Sequence, residues 1–350
     1  MRFNGKSHAA FTPTFQATIP DVLPDEKNYT RALSLSRLAY DLESLVSPML
    51  AAALLTVISY HNLFAGTVVG FLVSAALVVS VVLPSPKPSI PRGIYDRTTR
   101  GIRIYLATPR LRGLLAINMA VAAAGALVIV NTVVYVQATF GLGQSDTALA
   151  LAAFGGGSMI VALILPRLLD SIPDRAAMLA GASALAVATL IAAAIPSYGW
   201  LLPLWFIIGA GYSMAQTPSG RLLRRSSHAE DRPALFAAQF ALSHACWLVT
   251  YPLAGWVATS LGMDMAFIML AAGATAGLSG ALLFWPAHDP AELDHEHEEL
   301  VHAHPIADDG HHQPAQLAKA GPSGQTHRHR RFRHSHAFVI DDHHTAWPQG

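Results

Sequence analysis

The sequence predicts an all-α integral membrane protein that ends in a disordered histidine-rich tail. Three observations carry the prediction. Of 350 residues, 52% are hydrophobic and 13% charged, about half the charge of an ordinary soluble domain. The apolar residues gather into runs close to the roughly 20 residues that a helix needs to cross hydrocarbon. The linkers between those runs alternate between strongly basic and free of Lys and Arg.

Eight runs qualify as spans, at residues 32–56, 62–83, 113–138, 147–166, 177–196, 201–218, 235–258 and 265–286. Residues 84–112 carry Lys87, Arg92, Arg97, Arg100, Arg103, Arg110 and Arg112 against Asp96. Residues 167–176 hold Arg167 and Arg175, and residues 219–234 hold Arg221, Arg224, Arg225 and Arg232. The linkers near 57–61, 139–146, 197–200 and 259–264 have neither Lys nor Arg. Basic linkers stay on the cytoplasmic side of a bilayer. The alternation therefore predicts a multi-pass protein of the cell membrane (the inner membrane if bacterial) with both termini in the cytoplasm. Charges at Lys6, Asp21, Asp25, Glu26 and Lys27 leave no room for a cleavable signal peptide before residue 30.

Several function classes drop out. A net charge of +1 sets up no field that recruits nucleic acid. The lone Cys246 excludes a disulfide framework. There is no phosphate-binding loop ending in Gly-Lys-Ser/Thr, no zinc-protease helix motif and no nucleophile triad, so neither an enzyme nor a required cofactor is expected. The run Phe154 to Ser158, FGGGS, has no strand before it and no lysine after it. It reads as a place where helices approach closely in lipid.

The first span poses the sharpest problem, because Ser36 to Pro48, SRLAYDLESLVSP, carries three charges. At 100° per residue, Arg37, Asp41, Ser44 and Pro48 share one stripe, and Ser36, Tyr40, Glu43 and Ser47 share the next. Leucines 35, 38, 42 and 45 fall on the far side. A carboxylate in mid-span costs about 2.5–3.5 kcal/mol, so such groups face the bundle interior or a wet cavity. Two readings stand. Arg37 and Asp41 pair at i,i+4 and hold helices together, or Asp41 or Glu43 takes up a proton or cation during transport. Glu43 has no basic neighbour along its own helix.

A shift of 204 residues lays Glu26 on Glu230 and Pro48 on Pro252, and aligns SLVSPMLA with LVTYPLAG. Parallel repeats of this kind build one large transporter class. With AAFTPTFQATIPDVLPDEKNYTRALSLSRL (Ala9 to Leu38) ahead of the charged span and LPRLLDSIPDRAAM (Leu165 to Met178) after a later one, the chain resembles the major facilitator superfamily. That resemblance implies two six-helix halves, of which about eight of the usual twelve helices are present, so the chain reads as N-terminally truncated. Residues 1–83 would be the remainder of the first half (the end of helix 4, then helices 5 and 6). Residues 84–112 would be the loop between halves, 113–286 the second half with helices 7–12, and 287–350 the tail. Asp170 and Arg175 would stand at the gating loop. The substrate and proton pathway would draw on Arg37, Tyr40, Asp41, Glu43, Asn118, Asn131, Tyr135, Gln216, Gln239, His244 and Trp247.

The tail holds 13 of the 17 histidines. His295, His297, His302, His304, His311, His312, His334, His336, His343 and His344 are candidate weak ligands for Ni, Co or Zn, since imidazole suits these ions. Similar tails occur on nickel- and cobalt-resistance permeases of the same superfamily. The combined expectation is a proton-coupled efflux antiporter in the bilayer, with divalent nickel or cobalt as substrate and protons as the coupling ion. Export of small organic molecules or drugs is the first alternative. A non-transporting fragment or metal-binding membrane scaffold is the second.

Overall fold

The computed structural model describes residues 16–55, 57–80, 94–195, 197–290 and segments of 292–348. It divides into two units, Met1–Ala287 and His288–Gly350. In the first unit the long helices run in chain order: α1 Glu26–Leu54, α2 Tyr60–Ser80, α3 Ile94–Ala107, α4 Pro109–Ala126, α5 Gln144–Leu168, α6 Asp174–Ala192, α7 Tyr198–Gln216, α8 Ser219–Arg225, α9 Arg232–Ser260 and α10 Met263–Phe284. Helix α4 continues to Thr139 through two π-helical turns, Leu127–Asn131 and Tyr135–Thr139.

The starts follow local chemistry. Thr108 is extended and Pro109 opens α4, where a missing N–H costs nothing. The Gly143 N–H donates to Asp146 Oδ2 at 3.1 Å at the head of α5. Gly262, at φ 93°, turns the chain into α10 in a conformation that only glycine adopts freely.

Six helices among the described residues are long and apolar enough to cross a membrane: α2, α4 with its extension, α5, α6, α9 and α10. Of the eight predicted spans, the other two are helices but fall short of that standard. Helix α1 carries Arg31, Arg37, Asp41 and Glu43. Helix α7 is 19 residues long, and two tryptophans, two tyrosines and Pro203 dilute its aliphatic content.

Helices α5 and α7 pack by direct backbone approach. A methyl on Gly157 would sit 2.0 Å from the Phe206 carbonyl oxygen, and one on Gly209 would sit 1.8 Å from that of Phe154. The FGGGS run therefore serves the close helix packing that its composition predicts. The outer surfaces of the spans stay apolar, with Leu163, Leu248, Trp256 and Leu283 all exposed, as lipid contact requires.

Inside the basic linker, residues 94–107 form the amphipathic helix α3. Its Arg100, Gly101, Ile104 and Tyr105 are buried, while Ile102, Arg103 and Leu106 are exposed. The period of 3.6 sets this division.

The second unit departs from the disorder expected of the tail. Its described residues include five short strands: β1 Leu293–His297, β2 Leu300–His304, β3 Gln316–Gly321, β4 Gly324–His329 and β5 Phe332–His336. β1 pairs antiparallel with β5, and β4 lies between β2 and β3. The alternating His-x-His runs have the period of two that suits strands. Low hydrophobicity argued against a packed core there, and composition alone is blind to that alternation. The backbone register sets His295 opposite His334 and His302 opposite His327.

Candidate functional site

A cavity of about 580 Å³ opens among α1, α4, α7, α8 and α9, within the range usual for small-molecule sites. Six of the predicted pathway residues line it: Arg37, Tyr40, Gln216, Gln239, His244 and Trp247. Tyr212, Tyr251, Phe236 and Phe240 add aromatic wall.

The charged centre is a three-way junction between α1 and α5. Arg37 Nη2 donates to Asp41 Oδ1 at 2.5 Å, and its Nε lies 3.3 Å from both Asp41 Oδ2 and Ser158 Oγ. Ser158 Oγ donates to Asp41 Oδ2 at 2.6 Å. Ser158 and Asp41 are buried. The i,i+4 spacing puts Asp41 one turn along α1 from Arg37 on the same stripe; Ser158 holds the carboxylate against α5, while Arg37 lines the cavity. The Arg37 guanidinium stacks 4.5 Å from the Tyr212 ring centroid and 5.3 Å from that of Tyr40, cation–π distances. A chain of rings continues from Tyr212 to Trp247 at 6.4 Å and on to Tyr251 at 4.9 Å.

On α9, His244 Nδ1 lies 2.7 Å from the Phe240 carbonyl oxygen. A carbonyl can only accept, so Nδ1 carries a proton. Gln239 Oε1 accepts from the Tyr105 hydroxyl at 2.5 Å.

Other candidates lie elsewhere. Asp41 is not a lining residue, and Glu43 is exposed on α1 away from the cavity. Asn118, Asn131 and Tyr135 are buried in α4 and its extension. Tyr135 packs against Phe140 and Phe267, and neither Asn118 nor Asn131 lines the cavity. Asp170 is exposed. Arg175 donates to the Trp285 carbonyl at 3.1 and 3.3 Å and so closes the C-terminus of α10. In the tail, His344 is buried, with Nδ1 3.0 Å from Asp341 Oδ1. His295, His297, His302, His304, His334 and His336 lie on strands, and His311, His312 and His343 lie outside the described residues.

Sequence reading missed a charge network at the end of the bundle that carries the basic linkers. Arg221 Nε sits 2.9 Å from Asp174 Oδ1 and its Nη2 2.7 Å from Glu26 Oε1, while Nη1 donates to Thr30 Oγ1 at 2.9 Å. Arg232 pairs with Asp21, and the Arg224 guanidinium lies 5.3 Å from the Tyr29 ring centroid. Burial pushes the Tyr29 phenol up to about 12, against the pull of Arg224 and Arg232. Asp174, which meets Arg221, lies four residues beyond the Asp170 named for the gating loop. Both acids sit in one short acidic–basic loop, and only the fold distinguishes them.

Among the described residues, no three His, Cys, Asp or Glu side chains gather as a metal site. A family model described as Major Facilitator Superfamily matches residues 113–339. No curated protein matches the chain.

Proposed function

The chain belongs to the major facilitator superfamily, a family of secondary transporters, and from that premise we propose that the cavity around Arg37 is its solute site and takes a small organic molecule. The lining carries this reading. Aromatic rings, amides, hydroxyls and a few aliphatic chains surround one guanidinium and one imidazole, and no carboxylate is among the described lining residues. Rings and amides bind planar organic solutes well, whereas nickel or cobalt calls for clustered imidazole or carboxylate donors.

Protons are the proposed coupling ion. Protonating Asp41 would cancel its hold on the Arg37 guanidinium and free those N–H groups for the solute, and export against a proton gradient follows from alternating exposure of that pair. Arg221, bridging Asp174 and Glu26, would clasp the cytoplasmic end shut and release it on opening.

Export of divalent nickel or cobalt is a second reading, favoured by the concentration of histidines after residue 287. In that reading the histidines after residue 287 would gather the ions.

Everted membrane vesicles test the two together. An imposed pH gradient should drive uptake of aromatic dyes, Trp247→Ala should abolish it, and ⁶³Ni²⁺ should stay outside. Gradient-driven ⁶³Ni²⁺ uptake with no dye movement would overturn the organic-solute reading.

A further inference from the structure

Helix α3 lies in what the sequence presents as a loop, yet it is bolted to α9 at three successive levels. Arg100 holds Asp231 with Nε to Oδ1 at 2.5 Å and Nη2 to Oδ2 at 2.7 Å, both side chains buried. One residue on, a methyl at Gly101 would stand 2.0 Å from the Ala234 carbonyl oxygen, so the two backbones touch. A turn further, the Tyr105 hydroxyl meets Gln239. The contacts step along both helices in register, Arg100, Gly101 and Tyr105 against Asp231, Ala234 and Gln239.

Only the last contact reaches the cavity wall. Tyr105 is fully buried and its phenol is held protonated, well above the usual range, by that burial and to a smaller degree by the nearby Cys246 thiol. A buried O–H must donate, and Gln239 Oε1 receives it. That bond holds the Gln239 amide in one orientation, Oε1 toward Tyr105 and the Nε2 hydrogens left for the cavity that the residue lines. Had the amide been free to rotate, the wall would show a ligand either a donor or an acceptor. Five residues along α9, or about 7.5 Å of rise, the His244 imidazole lines the other edge of the same stripe.

We propose that Tyr105 is a positioning residue that fixes Gln239 as a hydrogen-bond donor to the solute. Within the aromatic lining, that donor makes the site selective for aromatic solutes that carry a hydrogen-bond acceptor, aryl amides above all. The proposal rests on the cavity being an organic-solute site and deepens that reading by naming the class. It also gives the linking helix a part in recognition.

The test uses the full chain in lipid nanodiscs, with benzamide and toluene as probes, titrated by saturation-transfer NMR. Benzamide should bind more tightly than toluene. Tyr105→Phe should weaken benzamide by about three- to tenfold, the worth of one hydrogen bond, and leave toluene unchanged. Gln239→Leu should lose the same factor, and the double variant should lose no more, because both changes remove one interaction. A purely structural role for Tyr105 would move both probes and add to the Gln239 effect. Gln239→Glu keeps an acceptor for Tyr105 while turning a carboxylate toward the cavity, and it should reject benzamide even where Tyr105→Phe fails to fold. Equal benzamide affinity in wild type, Tyr105→Phe and Gln239→Glu would overturn the positioning role alone. Failure of both probes to bind the wild type would overturn the organic-solute site and the role of Tyr105 with it.

Discussion

Replacing Arg37 with leucine removes one member of a pair whose other member cannot reach bulk water. Asp41 is 3% exposed, and the lost interactions are the contacts from Nη2 at 2.5 Å and from Nε at 3.3 Å. Ser158 still donates to Oδ2 at 2.6 Å, but a hydroxyl does not replace the charge of the guanidinium. Breaking a buried ion pair from one side costs about 3–5 kcal/mol, while replacing both members with apolar groups of similar size is often neutral. Arg37→Leu should therefore lower the thermal midpoint of the detergent-purified chain by many degrees. Asp41→Leu in the same chain should restore most of it, although the double variant should not transport. The assay is fluorescence-detected thermal unfolding of the three variants beside wild type. Equal midpoints for Arg37→Leu and wild type, or a double variant as unstable as the single, would refute the assignment of a buried charge pair joining α1 to α5.

Three further outcomes follow from the same geometry. Gly157→Val and Gly209→Val must separate α5 from α7, since their first added carbon already meets a carbonyl oxygen at 2.0 and 1.8 Å. Overpacking of that kind costs about 1–3 kcal/mol or more, so both should lose their monodisperse peak in size-exclusion chromatography, while Gly66→Val and Gly70→Val, with open space around them, should keep it. Asp231→Asn breaks the Arg100 pair, at a cost of about 3 kcal/mol, and should expose residues 94–107 to limited trypsin digestion in membranes. Asp41→Asn should flatten the pH dependence of transport, whereas Glu43→Gln, at an exposed position outside the cavity lining, should leave it intact.

What the sequence made legible was set by short-range patterns. Apolar run length marked the spans, and the 100° step put Arg37 and Asp41 on one stripe, where they pair. The same wheel could not say which way that stripe faces. It placed Asp41 beside the cavity, but Ser158, 117 residues away in sequence, draws the carboxylate toward α5. Ser158 closes the FGGGS run, which reads as packing and serves as packing, so nothing local advertised its hydroxyl. Arg100 with Asp231 and Tyr105 with Gln239 are separated by 131 and 134 residues. Pairs at that distance leave no periodic trace in a single sequence, and a basic linker looks the same whether it hangs free or docks. The amphipathic spacing of Arg100, Ile104 and Tyr105 was the one available signal for α3. In the tail, composition hid a second pattern, the alternation that pairs His-x-His runs across strands.

Water access to the polar cavity within the membrane is the most direct test. In a Cys246→Ser background, single cysteines at Ser36 and Ser243, which line the cavity, and at Leu248, 76% exposed on the outer surface of α9, would be treated in native membranes with a charged, membrane-impermeant methanethiosulfonate. Rapid labelling at 36 and 243 with none at 248 is the predicted result. Silence at 36 and 243, or labelling at all three positions alike, would contradict a solvent-filled solute site at the heart of this protein.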